Sequence, residues 1–197
     1  MNKITRPILI ALIFLSLGIL PLQAATYEFD KAHSSIRFGV QHIYSTVYGQ
    51  FDDYSGKVVF DPAKPTDAVF HIIIEVKSIN TGIGKRDKHL RSADFFDANK
   101  YPQITFVSSA VKHIEGANYE ISGALTMKDV SKDIVLPLVF HGSKDHPMDK
   151  GKIVAGFDIN MPLDRLAYHV GDGKFYKMGI VGKDIDIFVS LEMLTSK

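Results

Sequence analysis

The chain has 197 residues, of which 46% are hydrophobic and 23% charged, and it contains no cysteine. Its length suits one domain with a sizeable core. The formal net charge is only +1, so the basic bias typical of nucleic-acid-binding proteins is absent, and the lack of cysteine excludes disulfides, thiol redox chemistry and thiolate metal sites.

Residues 1–24 predict a secretory signal peptide. Lys3 and Arg6 precede an uncharged apolar run over 8–20, which is the usual order in such a leader. The run is shorter than the ~20 residues of a membrane-spanning helix, so a cleaved leader is favoured over a retained anchor. We therefore expect a mature domain over 25–197 in the periplasm. Its net charge is −1, because the leader holds two of the 23 basic residues and none of the 22 acidic ones.

Apolar and polar residues alternate over most of the mature chain. A period of two is typical of strands with one buried face. The pattern is clear near 36–40, 70–76, 119–127, 153–159 and 185–191, and further strands are expected near 48–60, 102–111 and 131–142. The sequence therefore predicts about eight antiparallel strands.

The stretch 81–99 breaks this alternation. It has no period-two face and is rich in helix-compatible residues. We predict one short helix near residues 84–95, crossing between two strands. Asp87 and Arg91 on this helix have the i,i+4 spacing of a surface ion pair.

About eight strands with one apolar face predict a closed barrel or a sandwich. A barrel of this size is either filled by its own side chains or holds one small ligand, and periodicity does not choose between these alternatives. Outer-membrane barrels have polar interiors, whereas phenylalanine, isoleucine and methionine crowd one face here. A soluble barrel with an apolar interior is therefore favoured.

The segment 78–106 contains a long and specific motif. It runs RDKHLRSADF over 86–95 and is followed by Tyr101-Pro102. Further motif residues lie along nearly the whole mature chain: Asp30, His33-Ser34, Ile36-Arg37-Phe38, Val40, His42, Gly49, Phe51, Gly123-Ala124-Leu125-Thr126, Gly156-Phe157 and Val181-Gly182. Together they closely resemble the YceI-like polyisoprenoid-binding family.

This resemblance implies an all-β, eight-stranded antiparallel lipocalin-like barrel in the periplasm. It also implies a long isoprenoid lipid as ligand, of the prenyl quinone or prenyl pyrophosphate type, and no other cofactor. Two segments depart from the family pattern. Lys128-Asp129 stands where the family often has glycine, and 165–177 matches only loosely. If that second segment closes over the cavity, ligand choice is expected to differ.

The candidate lipid-binding residues are apolar side chains on the expected inward faces: Ile36, Phe38, Val40, Phe51, Phe70, Ile72, Ile74, Phe106, Ile121, Leu125, Ile134, Leu136, Phe157, Ile187 and Val189. Gly123 is expected to face inward as well. The alternative is that these residues fill an ordinary core. The family resemblance favours a cavity.

A basic cluster in the predicted helix is the candidate site for a lipid head group, because guanidinium forks match pyrophosphate oxygens. The cluster consists of Lys85, Arg86, Lys88, His89 and Arg91, and His42, an inward histidine from an early strand, is a further candidate. A quinone head needs only a hydrogen-bond donor or two, which His42, Tyr44 or Tyr48 would supply. The alternative is a solvated helix face with no ligand.

No pattern predicts catalysis. The sequence lacks G-x-S-x-G, H-E-x-x-H and a phosphate-binding glycine loop, and its eight histidines have no zinc spacing. We therefore expect a non-enzymatic lipid carrier or store without a metal. Two alternatives stay open: an enzyme acting on an isoprenoid or amide lipid, and a stress-related interaction module in which lipid is a structural filler. Transient membrane contact and a homodimer are both compatible with the sequence.

Overall fold

The computed structural model describes residues 25–197, so the predicted signal peptide lies outside the described residues. The strands are β1 (Ala25–Phe29), β2 (Ser35–His42), β3 (Ser45–Phe51), β4 (Tyr54–Phe60), β5 (Val69–Glu75), β6 (Ile79–Asn80), β7 (Gln103–Glu115), β8 (Asn118–Met127), β9 (Val130–Asp145), β10 (Lys152–Asp164) and β11 (Val181–Ser196). The α-helices among these residues are α1 (Gly84–Leu90) and α2 (Lys174–Lys177), and short 3-10 helices span Pro65–Asp67, Val76–Ser78 and Arg165–Tyr168. Within 25–197, no helix is long and apolar enough to cross a membrane.

Eight strands form a closed ring in the order β1-β4-β5-β7-β8-β9-β10-β11, and antiparallel pairing of β1 with β11 closes it. The long β11 pairs with β1 at Met193 and Leu194, and with β2 over residues 181–190. β2, β3 and β6 therefore extend the wall at one end of the barrel. The predicted all-β, eight-stranded antiparallel barrel is confirmed.

The alternation in the sequence sets which side chains face inward. In β8, for example, Tyr119, Ile121 and Met127 are buried, while Glu120 between the first two is exposed. The strand predicted near 48–60 is two strands, β3 and β4. They are separated at Asp52-Asp53, where the Asp52 amide donates to the Ser78 carbonyl at 3.2 Å. The short β1 and β6 were not predicted.

One end of the barrel is closed by an aromatic plug, which we define as Tyr27, Phe60, Tyr119, Phe140 and Phe157. The Phe60 ring lies 5.0–5.4 Å from the rings of Tyr119, Phe140 and Phe157, mostly in the edge-to-face geometry that aromatic pairs prefer. Phe60 and Phe157 are each only 1% exposed. This end of the interior is therefore solidly packed.

The opposite end is covered by α1 and by the 165–180 segment, which includes α2. The predicted helix near 84–95 ends earlier, at Leu90. Ser92 explains this, because its hydroxyl donates to the His89 carbonyl at 2.7 Å and accepts from the Asp94 amide at 3.3 Å. Such short polar side chains compete with helical backbone bonding. Turns then continue to residue 100.

The predicted Asp87–Arg91 ion pair is wrong. Asp87 is buried and accepts hydrogen bonds from the Thr81 amide at 2.9 Å and the Thr81 hydroxyl at 2.5 Å. Arg91 instead donates to the carbonyl of Lys77 at 3.1 Å. Both side chains thus attach α1 to the segment before it, so neither is free to pair along the helix surface.

Candidate functional site: an apolar cavity and its mouth

A cavity of about 400 Å³ lies between the aromatic plug and the α1–α2 end of the barrel. The volume falls in the range of roughly 300–1,000 Å³ that is usual for small-molecule pockets. Thirteen of the sequence candidates line it: Ile36, Phe38, Val40, Phe51, Phe70, Ile72, Ile74, Phe106, Ile121, Leu125, Leu136, Ile187 and Val189. Their contact with a ligand stays a prediction.

Two of the sequence candidates do not line the cavity. Phe157 points inward but is part of the aromatic plug, 5.2 Å from Phe140. Ile134 lies opposite Gly123 in the β8–β9 pairing and packs against the core as a partly buried side chain. Alternation gives the face of a residue and not its depth, because the depth depends on which strands meet across the interior. The placement of these two residues as cavity lining is therefore wrong.

Two glycines allow large rings to lie against the wall of the cavity. A Cβ atom at Gly49 would lie 2.5 Å from the Phe38 ring, and one at Gly123 would lie 2.6 Å from the Phe106 ring. Real Cβ atoms do not approach so closely, so each ring occupies space that only glycine leaves. The inward placement of Gly123 is confirmed.

The cavity reaches the surface at the α1–α2 end. Its exposed lining residues, Arg37, His42 and His89, belong to β2 and α1, whereas the lining residues next to the plug, such as Ile121 and Leu138, are at most 2% exposed. We call the opening between the β2–β3 turn, α1 and α2 the mouth.

Arg86 lines the cavity near the mouth. Its Nε donates to the Thr81 hydroxyl and its Nη2 to the Thr81 carbonyl, both at 2.7 Å. A guanidinium has five N–H donors, so this geometry fixes the plane of the side chain and leaves donors for another acceptor. Among residues 25–197, no carboxylate lies within ion-pair distance of it.

His42 and His89 also line the cavity, on opposite sides of the mouth. The His89 ring lies 5.1 Å from Phe95 and 6.0 Å from Phe175, and its Nε2 lies 3.0 Å from an Asp94 carboxylate oxygen. These contacts hold the ring against the two segments that cover this end of the barrel.

The other head-group candidates lie elsewhere. Lys88 is exposed on α1 and Arg91 bonds to backbone carbonyls, and neither lines the cavity. Tyr44, offered as a quinone partner, is 98% exposed at the tip of the β2–β3 turn, and Tyr48 covers Gly39 on the outer face of the wall. The structure therefore brings together only Arg86, His89 and His42 from the predicted set.

Arg165 is a residue at the cavity that was not predicted. It is only 5% exposed and lines the cavity. Its guanidinium donates to the carbonyls of Val170 at 2.6 Å and Gly182 at 2.8 Å. In the described chain no carboxylate lies within ion-pair distance of it. Burial lowers the pKa of Arg165 from its usual value, and the more distant charges of Asp164 and Asp172 only partly oppose this. A buried cation whose direct hydrogen bonds go to neutral carbonyls still attracts an anion.

The sequence did contain a signal for Arg165. Inward positions in β10 are odd-numbered, as Ile159, Met161 and Leu163 show, and continuing the alternation past the strand end would place Arg165 inward. Gly171 supports this arrangement, because a Cβ there would lie 2.4 Å from the Arg165 Nη1 and its φ is +89°.

The segment 165–177, which is expected from the sequence to match the family only loosely, closes over the cavity. Val170 and Phe175 line it together with Arg165. The β8–β9 turn holds this segment in place, because Lys128 Nζ donates to the carbonyls of Phe95 and His169 at 2.7 Å each. His169 in turn bonds to Asp129 at 3.1 Å and lowers the pKa of that carboxyl.

Fold and site together define a lipocalin-like β-barrel with an apolar cavity. A model of the YceI-like domain matches residues 27–193. The chain therefore belongs to the YceI-like family, and the resemblance inferred from the motif residues is confirmed.

Relatives and solved structures agree with this assignment. Protein YceI of Shigella flexneri is 34% identical over 177 residues, which cover 88% of this chain and 89% of that protein. The crystal structure of Burkholderia cenocepacia BcnA matches with a TM-score of 0.76 and 28% identity, covering 86% of this chain and all of that one. A polyisoprenoid binding domain from Saccharophagus degradans, implicated in plant cell wall breakdown, shares the fold with a TM-score of 0.63 at 14% identity, covering 89% of this chain and 100% of its own.

Proposed function

We propose that this protein binds one isoprenoid lipid in its barrel and carries or stores it in the periplasm. The observation that carries the proposal is the 400 Å³ cavity, apolar along its walls and basic at its mouth. The name of the S. degradans domain supports an isoprenoid as the ligand, and the predicted leader over residues 1–24 supports the compartment. Family membership favours binding over catalysis.

The energetics assign the tail and the head different roles. Burial of hydrocarbon from water contributes roughly 0.8 kcal/mol per methylene, so one five-carbon isoprene unit contributes about 3–4 kcal/mol. A lipid taken from a bilayer has already left water, and its transfer into the cavity gains little from burial. Selectivity then depends on the shape of the cavity and on contacts with the head group.

The charges at the mouth favour a head group that carries oxygen acceptors. Arg86 keeps unused N–H donors, and the buried Arg165 charge has no carboxylate partner in the described chain. Phosphate oxygens accept from guanidinium in a bidentate geometry, and a quinone carbonyl accepts single hydrogen bonds. A prenyl pyrophosphate is the better electrostatic match of these two classes.

Two arginines of α1 and its turn provide a matched test. In Arg86→Met the affinity for a prenyl pyrophosphate should fall by at least about tenfold relative to the prenyl alcohol of the same length, because a charge-assisted hydrogen bond contributes roughly 1.5–3 kcal/mol. In Arg91→Met the ratio of the two affinities should stay at the wild-type value. Isothermal titration calorimetry of both ligands with the wild type and both variants measures the affinities from which these ratios are calculated.

Taking a ratio within each variant removes any general effect of the substitution on folding. An equal loss for both ligands in Arg86→Met would contradict a head-group role for this end of the cavity. Failure of the wild-type protein to bind either ligand would contradict the lipid-binding proposal itself.

A further inference from the structure

Large apolar side chains are exposed around the mouth. They come from the β2–β3 turn, from the residue before α1 and from α2 and its end: Ile43, Tyr44, Ile83, Tyr176 and Met178, each at least 45% exposed. We call these five residues the docking rim. The Ile43 amide donates to the Ile180 carbonyl at 3.0 Å, so the β2–β3 turn and the end of α2 form one continuous part of it.

The β2–β3 turn holds its apolar residues at a cost in backbone strain. Ile43 has φ +52°, a left-handed conformation that is unfavourable for a β-branched residue. Two-residue hairpin turns normally have asparagine or glycine at such positions. The turn is nevertheless fixed, because the Ile43 carbonyl accepts from Gln41 Nε2 at 3.0 Å. Neither Ile43 nor Tyr44 lines the cavity, so folding and cavity lining do not explain the choice of residues.

Basic side chains accompany the docking rim. Lys85 and Lys88 on α1, and Lys174 and Lys177 on α2, are all exposed. Three acidic residues lie near these lysines: Asp87 is buried, Asp172 accepts from the Lys174 amide at 2.8 Å, and Asp94 after α1 lies 3.0 Å from His89 Nε2. The four exposed lysines outnumber the two exposed carboxylates, Asp94 and Asp172. Exposed apolar and tyrosine side chains with lysines beside them match the interface of an anionic bilayer.

The position of the docking rim at the mouth has a physical consequence for loading. A lipid tail that crosses water between bilayer and cavity loses its apolar surroundings, and the cost grows with every methylene exposed. Contact between the mouth and the bilayer removes that step. Together, these observations favour a lipid surface over a protein as the partner of the docking rim.

We propose that the docking rim places the mouth of the barrel on the surface of an anionic membrane, where lipid enters or leaves. This inference rests on the proposed lipid-binding function and names the surface at which the ligand is exchanged. The hairpin tip provides the apolar contact, and the lysines of α1 and α2 provide attraction to anionic head groups.

The test is sedimentation of the purified mature protein with two kinds of vesicle, phosphatidylcholine alone and phosphatidylcholine mixed with phosphatidylglycerol. The wild type should bind the mixed vesicles preferentially. The double variant Ile43→Asn/Tyr44→Ser should bind them about tenfold more weakly, and so should Lys85→Glu/Lys177→Glu. Asparagine tolerates positive φ, so the first variant should melt no lower than the wild type, which separates docking from folding.

The control uses the opposite end of the barrel, where Met148 is 89% exposed and Lys150 is also exposed. Met148→Ser/Lys150→Glu should bind vesicles as the wild type does. Equal loss in this control, or full binding by the hairpin variant, would overturn the docking proposal. A wild type that ignores vesicles and forms a dimer lost in the hairpin variant would assign the rim to self-association and overturn it too.

Titration with a short-chain prenyl alcohol in the absence of vesicles separates the two proposals. All three double variants should keep wild-type affinity for this ligand, because none of the substituted residues lines the cavity. Normal ligand binding without vesicle binding would refute docking alone. Loss of ligand binding in the wild type would refute the carrier function.

Discussion

Gly123 shows how a single residue sets the room inside the barrel. The Phe106 ring lies where the side chain of any other residue at this position would begin. Its β7 neighbour also limits the site, since a Cβ at Gly123 would lie 2.4 Å from the Val107 carbonyl oxygen. Neither obstacle can move without changing the wall, because one is backbone and the other is a ring that lines the cavity.

We therefore expect Gly123→Ala to push the Phe106 ring into the cavity. Overpacking of this kind typically costs about 1–3 kcal/mol of unfolding free energy, and the longest prenyl chain that binds should become shorter. Competition among prenyl alcohols of increasing length measures the change. Gly116→Ala is the matched control, since a Cβ there meets no atom within 4 Å, although its positive φ predicts a modest loss of stability. An unchanged chain-length limit in Gly123→Ala would contradict the assigned role of Gly123.

At the residue scale, inward positions were predictable from alternation alone. Alternation places Phe38 and Ile187 correctly, because a side chain in a strand points to one of only two faces of the sheet. It fails for Phe157, since whether an inward ring lines a cavity or packs in a plug depends on residues from distant strands. Arg165 was missed because the alternation was not extended past the end of β10, where this residue continues the inward face.

At the scale of elements, the junction between β1 and β2 depends on a polar contact. His33 Nδ1 lies 2.8 Å from an Asp30 carboxylate oxygen, and the Asp30 amide donates to the Glu192 carbonyl at 2.9 Å. The junction is thereby attached to β11. The hydrogen bond between the two side chains raises the pKa of His33 and lowers that of Asp30.

This contact predicts a pH-dependent stability. A histidine with a raised pKa contributes stability that is fully present below its unfolded value of 6.5 and lost as pH rises through the folded value. The lowered pKa of Asp30 keeps the Asp30 carboxylate charged down to acidic pH, so protonated His33 retains an anionic partner. We therefore expect His33→Gln to lower the melting temperature more at about pH 6 than at about pH 9. Thermal melts at both pH values check this, and an equal decrease at both would mean that the protonated pair contributes nothing.

Element ends were less predictable than element types. The helix near 84–95 exists, but it ends at Leu90 because Ser92 and Asp94 form local bonds that no periodicity reveals. α2 has only four residues and depends on contacts such as the stacking of Phe175 on Phe95 at 6.0 Å. Short helices gain little from intrinsic propensity, so a sequence pattern gives them no clear signal.

At the scale of the whole molecule, closure of the sheet was the question that the sequence left open. The ring closes through only two paired residues at the end of β11, Met193 and Leu194 opposite β1. Nothing in the alternation of those strands distinguishes such closure from the free edge of a sandwich. The family resemblance favoured the barrel over the sandwich. The aromatic plug and the cavity exist because the closed sheet surrounds an interior.

The central claim is that this barrel holds a lipid in a cavity that its own side chains leave open. Native mass spectrometry of the protein, isolated from its source cells without detergent, tests the claim most directly. We predict a 1:1 complex with a long-chain isoprenoid, whose mass disappears after extraction with organic solvent. Protein that carries no bound lipid when isolated, and that takes up none from vesicles, would contradict the account.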